Sequence, residues 1–106
     1  MKADKIVNTL YLQTYSWISD ILGVHGNAYH IFEKKVEPGT TLVVVFNDLA
    51  REYPEFKKMV YNPETGKLSD QVLLLINQKL ARLDQLKASP LNDKDAISLM
   101  PVIFGG

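Results

Sequence analysis

Leu42, Val45, Phe46, Leu49 and Tyr53 recur at three- and four-residue intervals, with Asn47, Asp48, Arg51 and Glu52 on the opposite side. Over the thirteen residues Thr41 to Tyr53, that period buries an apolar side only if the segment is an amphipathic helix. A competing signal lies inside it. T-L-V-V-V-F is rich in β-branched residues, which lose rotamer freedom in a helix and suit a strand. The longer periodicity outweighs three valines, so a helix is expected, with Thr40 or Thr41 as its N-cap and Pro54 beyond its last turn.

The flanking apolar runs are shorter and read mostly as strands. Lys5 to Leu12 has apolar residues on both faces, as a strand well inside a sheet would. From Tyr11 the spacing changes: Tyr11, Tyr15, Ile18 and Leu22 fall at helical intervals, with Gly23 placed to stop a short helix. Val24 to Asn27 reads as loop and Ala28 to Val36 as a second strand. Glu37-Pro38-Gly39-Thr40 makes a turn, its proline presetting one position and its glycine supplying positive φ at the next. Glu55 to Tyr61 reads as irregular or one helical turn, and Asn62 to Lys67 as loop. Val72 to Ile76 is a buried strand, followed by a tight turn at Asn77-Gln78 and a short edge strand over Leu80 to Leu83. A single turn is expected over Leu86 to Pro90 and a turn cluster over Asn92 to Asp95. Ala96 to Met100 is the last strand, ended by Pro101. One main helix on a mixed sheet defines an α+β class.

A chain of 106 residues has room for one core. Twelve basic residues balance twelve acidic ones, which argues against a footprint for nucleic acid or an anionic membrane. Lys34-Lys35 and Lys57-Lys58 read as solvated faces. The absence of cysteine excludes disulfides, thiolate nucleophiles and sulfur-ligated metals. His25 and His30 lack further ligands at metal-site spacing, so no metal is expected. Asp93 and Asp95 read as turn formers capping their own backbone. A Gly-rich phosphate loop is missing, so the chain itself is expected to bind no nucleotide. The longest uncharged stretch, Ile6 to Ser19, is too short and polar to span a bilayer, and the start lacks signal-peptide organisation. A cytoplasmic location is expected.

The sequence closes on S-L-M-P-V-I-F-G-G. Glycine loses more freedom on ordering than any other residue, so two terminal glycines add nothing to a core. Their use is expected to be chemical, with the terminal carboxylate as the working group. Residues 1–100 are expected to form the domain and 101–106 an extended tail that reaches about 20 Å. Met100, Ile103 and Phe104, with Leu75, are candidates for an apolar docking patch beside that tail. The competing reading places Met100 in the core.

The stretches E-P-G-T-T-L (37–42), D-L-A-R-E-Y-P (48–54), V-L-L-L-I-N (72–77) and L-N-D-K-D-A-I-S-L-M-P-V-I-F-G-G (91–106) occur in an order that resembles a known group. The group is the β-grasp, ubiquitin-like sulfur carriers, which includes the molybdopterin synthase small subunit, the thiamine sulfur carrier and the archaeal small modifiers. The molybdopterin synthase small subunit has the nearest pattern. By that resemblance, Gly106 is adenylated by an ATP-dependent adenylyltransferase of the ubiquitin-activating type, and sulfur then displaces AMP to leave a thiocarboxylate. Sulfur would thus be carried without a cysteine, for donation in molybdopterin biosynthesis. Gly105, Phe104, Ile103, Val102, Pro101, Met100 and Leu75 would contact partners, among them the molybdopterin synthase large subunit. The chain would hold no cofactor itself, and ATP would be the partner's. The alternatives are a modifier joined through Gly106 to target lysines, a carrier for thiamine or cysteine synthesis, or an interaction domain with an inert Gly-Gly. Ile103-Phe104 stands where the group usually has a small residue before Gly-Gly. Gln78 and Lys94 stand where it usually has glycine, and both are expected at positive φ. Tyr15 to Asn27 is an apparent insertion.

Overall fold

Along Leu10 to Tyr15, buried and half-buried side chains alternate one for one, and this alternation builds the centre of the sheet. The computed structural model describes residues 6–25, 29–86 and 88–102. In chain order the elements are β1 (Asn8–Tyr15), α1 (Trp17–Ile21), β2 (Tyr29–Val36), α2 (Leu42–Glu52) and α3 (Pro54–Met59). They continue with β3 (Tyr61–Asn62), β4 (Lys67–Leu68), β5 (Val72–Ile76), β6 (Lys79–Leu80), α4 (Leu83–Leu86) and β7 (Ala96–Pro101).

Five strands form one sheet in the order β2-β1-β7-β5-β6. β1 and β7 run parallel at its centre, with Leu12 opposite Ile97. Every other pairing is antiparallel. β3 and β4 make a separate two-stranded hairpin.

The expected main helix forms as α2. Thr41 is its N-cap, accepting from the Val44 backbone N–H at 3.4 Å. Leu42, Val45, Phe46, Leu49 and Ala50 are buried, so the helical period governs this segment over its valine run. They pack with Leu10, Leu12, Val72, Leu74, Ile97 and Leu99 from the sheet. Phe46 also meets Phe56 of α3 at 6.0 Å and Tyr61 at 5.5 Å between ring centroids, in tilted arrangements that aromatic quadrupoles favour.

Several local expectations are corrected. β1 begins at Asn8, after Ile6 and Val7, and continues through Tyr15, and Lys5 lies outside the described residues. Tyr11 and Tyr15 do not begin a helix, because each pairs across the ladder with β2 (Tyr11 with Glu33, Tyr15 with Tyr29). α1 is confined to Trp17–Ile21 and sends Ile18 and Ser19 inward. The Glu55 to Tyr61 region holds a six-residue helix that starts on Pro54, a residue whose fixed φ suits a first helical position. Asn62 to Lys67 is a turn closed by the Gly66 N–H on the Asn62 carbonyl at 2.8 Å, flanked by the β3–β4 pair.

The edge strand expected over Leu80 to Leu83 is instead Lys79–Leu80, and Leu83 opens α4 and is buried. Leu86, expected in the following turn, ends that helix. The last strand includes Pro101 and does not stop at Met100: Pro101 pairs with Val72, and the Val102 N–H donates to the Gln71 carbonyl at 2.9 Å. Asp95 does cap its own turn, accepting from Asn92 N–H at 2.8 Å. Asp93 instead accepts from Thr9 N–H at the start of β1, at 2.7 Å. Gln78 (φ 69°) and Lys94 (φ 70°) adopt the positive φ expected of them.

Candidate functional site

Strand register defines the site. One row of side chains crosses all five strands on the sheet face opposite the core: Ile31, Gln13, Ser98, Leu75 and Leu80. One step toward the tail, Tyr15 pairs with Tyr29 and Leu73 with Met100. The tyrosine rings lie 4.8 Å apart. Large apolar residues in these two rows remain accessible: Leu80 is 72% exposed, Ile31 44%, Tyr29 39% and Leu73 37%.

The face has little charge. Glu33 and Lys35 are its charged residues along β1, β2, β5, β6 and β7, and they pair with each other at 3.5 Å. They sit at the end away from Met100, so the half nearer the tail is uncharged. Two polar side chains lie within the apolar rows. Ser98 Oγ donates to Gln13 Oε1 at 2.8 Å, so the pair satisfies itself on the Ser98 side.

The structure brings together four of the expected partner-binding residues. Met100 and Leu75 are both half-buried on this face, whereas Ile97 and Leu99 of the same strand point into the core. That removes Met100 from the core reading. Pro101 and Val102 continue the edge of the face beside Gln71 and Val72. Ile103, Phe104, Gly105 and Gly106 lie outside the described residues. Sequence reading missed Gln13, Tyr15, Tyr29, Ile31, Leu73 and Leu80. The signal was present as alternation by two along Leu10–Tyr15 and Tyr29–Val36, but Tyr15 was absorbed into a helical pattern.

The apparent insertion has a defined place over residues 15–25, and Gly26 and Asn27 lie outside the described residues. Because β1 and β7 are parallel, α1 follows β1 at the end where β7 leaves the sheet, and it packs against both strands and α3. Ile18 and Leu22 enter the core there.

Elsewhere the described residues offer little for catalysis. No group of three or more His, Cys, Asp or Glu side chains among them assembles to hold a metal. His25 reaches only Asp20, at 3.8 Å, and both are exposed. An open groove of about 640 Å³ runs beside β5 and β6, and Arg82 and Asp84 at its rim pair with each other. No helix among the described residues is long and apolar enough to cross a membrane.

A mixed sheet with a parallel central pair, one amphipathic helix across it, and an open face uncharged in the half beside the departing last strand define a ubiquitin-like β-grasp domain. The group consists of sulfur carriers and modifiers. The chain belongs to the ThiS family, whose model matches residues 25–106. Solved structures of the same fold include a candidate molybdopterin converting factor, subunit 1, from Pyrococcus furiosus: 14% identity, 91% of this chain and 99% of that one, TM-score 0.65. Small archaeal modifier protein 1 from Methanosarcina acetivorans is 20% identical over 95% of this chain and 99% of its own, with TM-score 0.65. Urm1 from Trypanosoma brucei is 20% identical over 94% and 97%, with TM-score 0.67. Among curated proteins the chain has no match.

Proposed function

We propose that this chain is a cytoplasmic sulfur carrier that works through Gly106. The observation that carries the reading is the open, largely apolar face whose uncharged half ends at Val102, four residues before Gly106. Four extended residues reach about 13 Å. A partner that acts on Gly106 within that reach therefore meets the Met100 end of the face.

The chemistry follows from what a carboxylate lacks. Its charge is delocalised and its leaving group is poor, so it must be activated. A Gly106 carboxylate oxygen attacks the α-phosphorus of ATP in a ubiquitin-activating-type adenylyltransferase, releasing pyrophosphate and leaving an acyl-adenylate. A hydrosulfide-equivalent donor then attacks the acyl carbon. AMP leaves with the bonding pair, and a thiocarboxylate remains. The catalytic groups belong to the partner. This chain supplies the acyl terminus on a side-chain-free Gly105-Gly106 pair, which lets backbone approach closely. Residues 1–100 serve as the docking domain and 101–106 as the tail, whose first two residues, Pro101 and Val102, still run along the sheet edge. Met100, Leu75, Pro101 and Val102 would contact the partner from the face, and Ile103 and Phe104 would be the anchors before the glycines.

The acceptor we favour is a molybdopterin precursor, with the molybdopterin synthase large subunit as second partner. This is supported by the resemblance of residues 91–106 and by the likeness to the Pyrococcus furiosus protein. Mass spectrometry of the protein from its native host tests the reading. Replacement of one oxygen by sulfur at Gly106, lost on deletion of that residue, is expected. Co-purification with the large subunit selects molybdopterin synthesis. Gly-Gly remnants on lysines of other proteins select a modifier instead, and sulfur incorporation that persists without Gly106 overturns both.

A further inference from the structure

We infer that Gln13 sets partner specificity, as the hydrogen-bonding centre of the open face; this rests on the carrier reading above. Gln13 and Ser98 interrupt a five-strand row whose other members are Ile31, Leu75 and Leu80. The row behind them holds Tyr15, Tyr29, Leu73 and Met100. Folding alone does not call for a polar pair here, since an apolar cross-strand pair would satisfy the sheet as well.

The geometry of the pair is directional. Ser98 is buried and spends its hydroxyl proton on Gln13 Oε1 at 2.8 Å, which fixes one side of the amide. The Gln13 Nε2 has no hydrogen-bond partner among the described residues. An amide nitrogen carries two N–H donors. A docked partner would bury those donors inside an apolar ring, where leaving them unpaired is costly. The partner that fits therefore presents an acceptor oxygen within an otherwise apolar surface, opposite Gln13. The adenylyltransferase is that partner, because the face runs continuously to Val102 and its reach to Gly106 is short. A purely apolar competitor lacks the acceptor and is rejected, since a site built around a polar group discriminates far better than one that matches shape alone.

The test is adenylation by the ubiquitin-activating-type adenylyltransferase of the same genome, read as pyrophosphate release over a range of carrier concentrations. Gln13→Leu adds apolar area, so on a merely greasy face it would dock as well or better. The expected result is a KM raised roughly tenfold with kcat unchanged, beside a lower melting temperature because the buried Ser98 hydroxyl loses its acceptor. Gln13→Glu, which offers only acceptors, is expected to raise KM further. Ser98→Ala keeps the amide but frees its orientation, and a smaller rise in KM is expected; it serves as the second variant if Gln13→Leu does not fold. Equal or lower KM for Gln13→Leu, or for Ser98→Ala where the first variant is unfolded, overturns the assignment while leaving the carrier reading intact. No pyrophosphate from the wild-type chain overturns the carrier reading and this assignment with it.

Discussion

The side chain of Asn77 ties two turns together through Asp95. Its Nδ2 donates to Asp95 Oδ1 at 3.0 Å, and its Oδ1 accepts from the Ala96 N–H at 2.9 Å. The other Asp95 oxygen holds the Asn92 N–H, so the β5–β6 turn is fastened to the start of β7. Asn77 also sits at φ 51°, where asparagine is tolerated better than most residues. Asn77→Ala removes both side-chain bonds and leaves the Cβ at positive φ without compensation. A loss of about 2–3 kcal/mol is expected from urea unfolding. Asn77→Gly forfeits the same bonds but relieves the backbone strain, so it should fall between alanine and the parent.

Lys94 and Gln78 bear the same strain without Asn77's compensating bonds. Lys94 donates its backbone N–H to the Thr9 carbonyl at 2.6 Å, a bond that glycine keeps. Lys94→Gly should therefore stabilise the fold by about 0.5–1 kcal/mol, after the extra freedom of glycine in the unfolded chain is subtracted. A thermal melt should move upward by a few degrees, and a lower midpoint would contradict the assignment. Gly39 is the mirror case. It lies at φ 90° with nothing within 4 Å of an added Cβ, so Gly39→Ala tests backbone strain alone and should lower stability by about 1 kcal/mol.

What the sequence disclosed and what it concealed divide along physical lines. The main helix was legible because five apolar side chains keep one period long enough to outvote local propensity. The β5 strand and the turns around Pro38-Gly39 and Asn77-Gln78 were legible because their backbone demands few residue types. β1 was misread past Leu12 because tyrosines at 11 and 15 satisfy a four-residue interval as well as a two-residue one. Only pairing with β2, separated by the α1 segment, decides between them. α4 was hidden because four residues carry no period. The open face was half legible: Met100 and Leu75 were expected together beside the tail. Ile31, Gln13 and Leu80 join them only through a row of contacts across five strands, which a linear reading does not contain.

Tyr61 packs its ring on Phe46, and burial raises its phenol above the ordinary 10.0; Tyr53 is raised by burial and by the neighbouring Glu52 carboxylate. In both, the folded state favours the protonated phenol more than the unfolded chain does. Their contribution is fully present below the unfolded pKa near 10 and is lost as pH climbs through the folded value, because the unfolded chain releases its protons first. Stability measured by urea should hold between about pH 8 and 9 and fall from about pH 10 upward. Tyr61→Phe removes one of these protons, so its stability should fall less steeply with pH than the parent's. Identical slopes would mean that Tyr61 does not contribute.

Thr14 Oγ1 and Ser19 Oγ share a hydrogen bond of 2.7 Å with both residues fully buried, which joins the end of β1 to α1. Ile18 and Leu22 flank it in the core. The segment that looks like an insertion therefore closes one end of the core, and its removal would expose more than a loop. Thr14→Val preserves shape but strands the Ser19 hydroxyl, and Ser19→Ala strands that of Thr14. Either single change should cost about 1–3 kcal/mol, the penalty for an unpaired buried polar group. The double variant leaves no orphan, so it should cost clearly less than the sum, with a coupling of about 1–2 kcal/mol. Strict additivity in that cycle would mean that the two hydroxyls do not depend on one another. A small single cost at Ser19 would mean that water reaches the junction, and α1 would then be a cover rather than part of the core. Ile18→Ala separates these possibilities: a wholly buried isoleucine in a packed core should cost about 3 kcal/mol or more, whereas a side chain under a loose cover should cost much less.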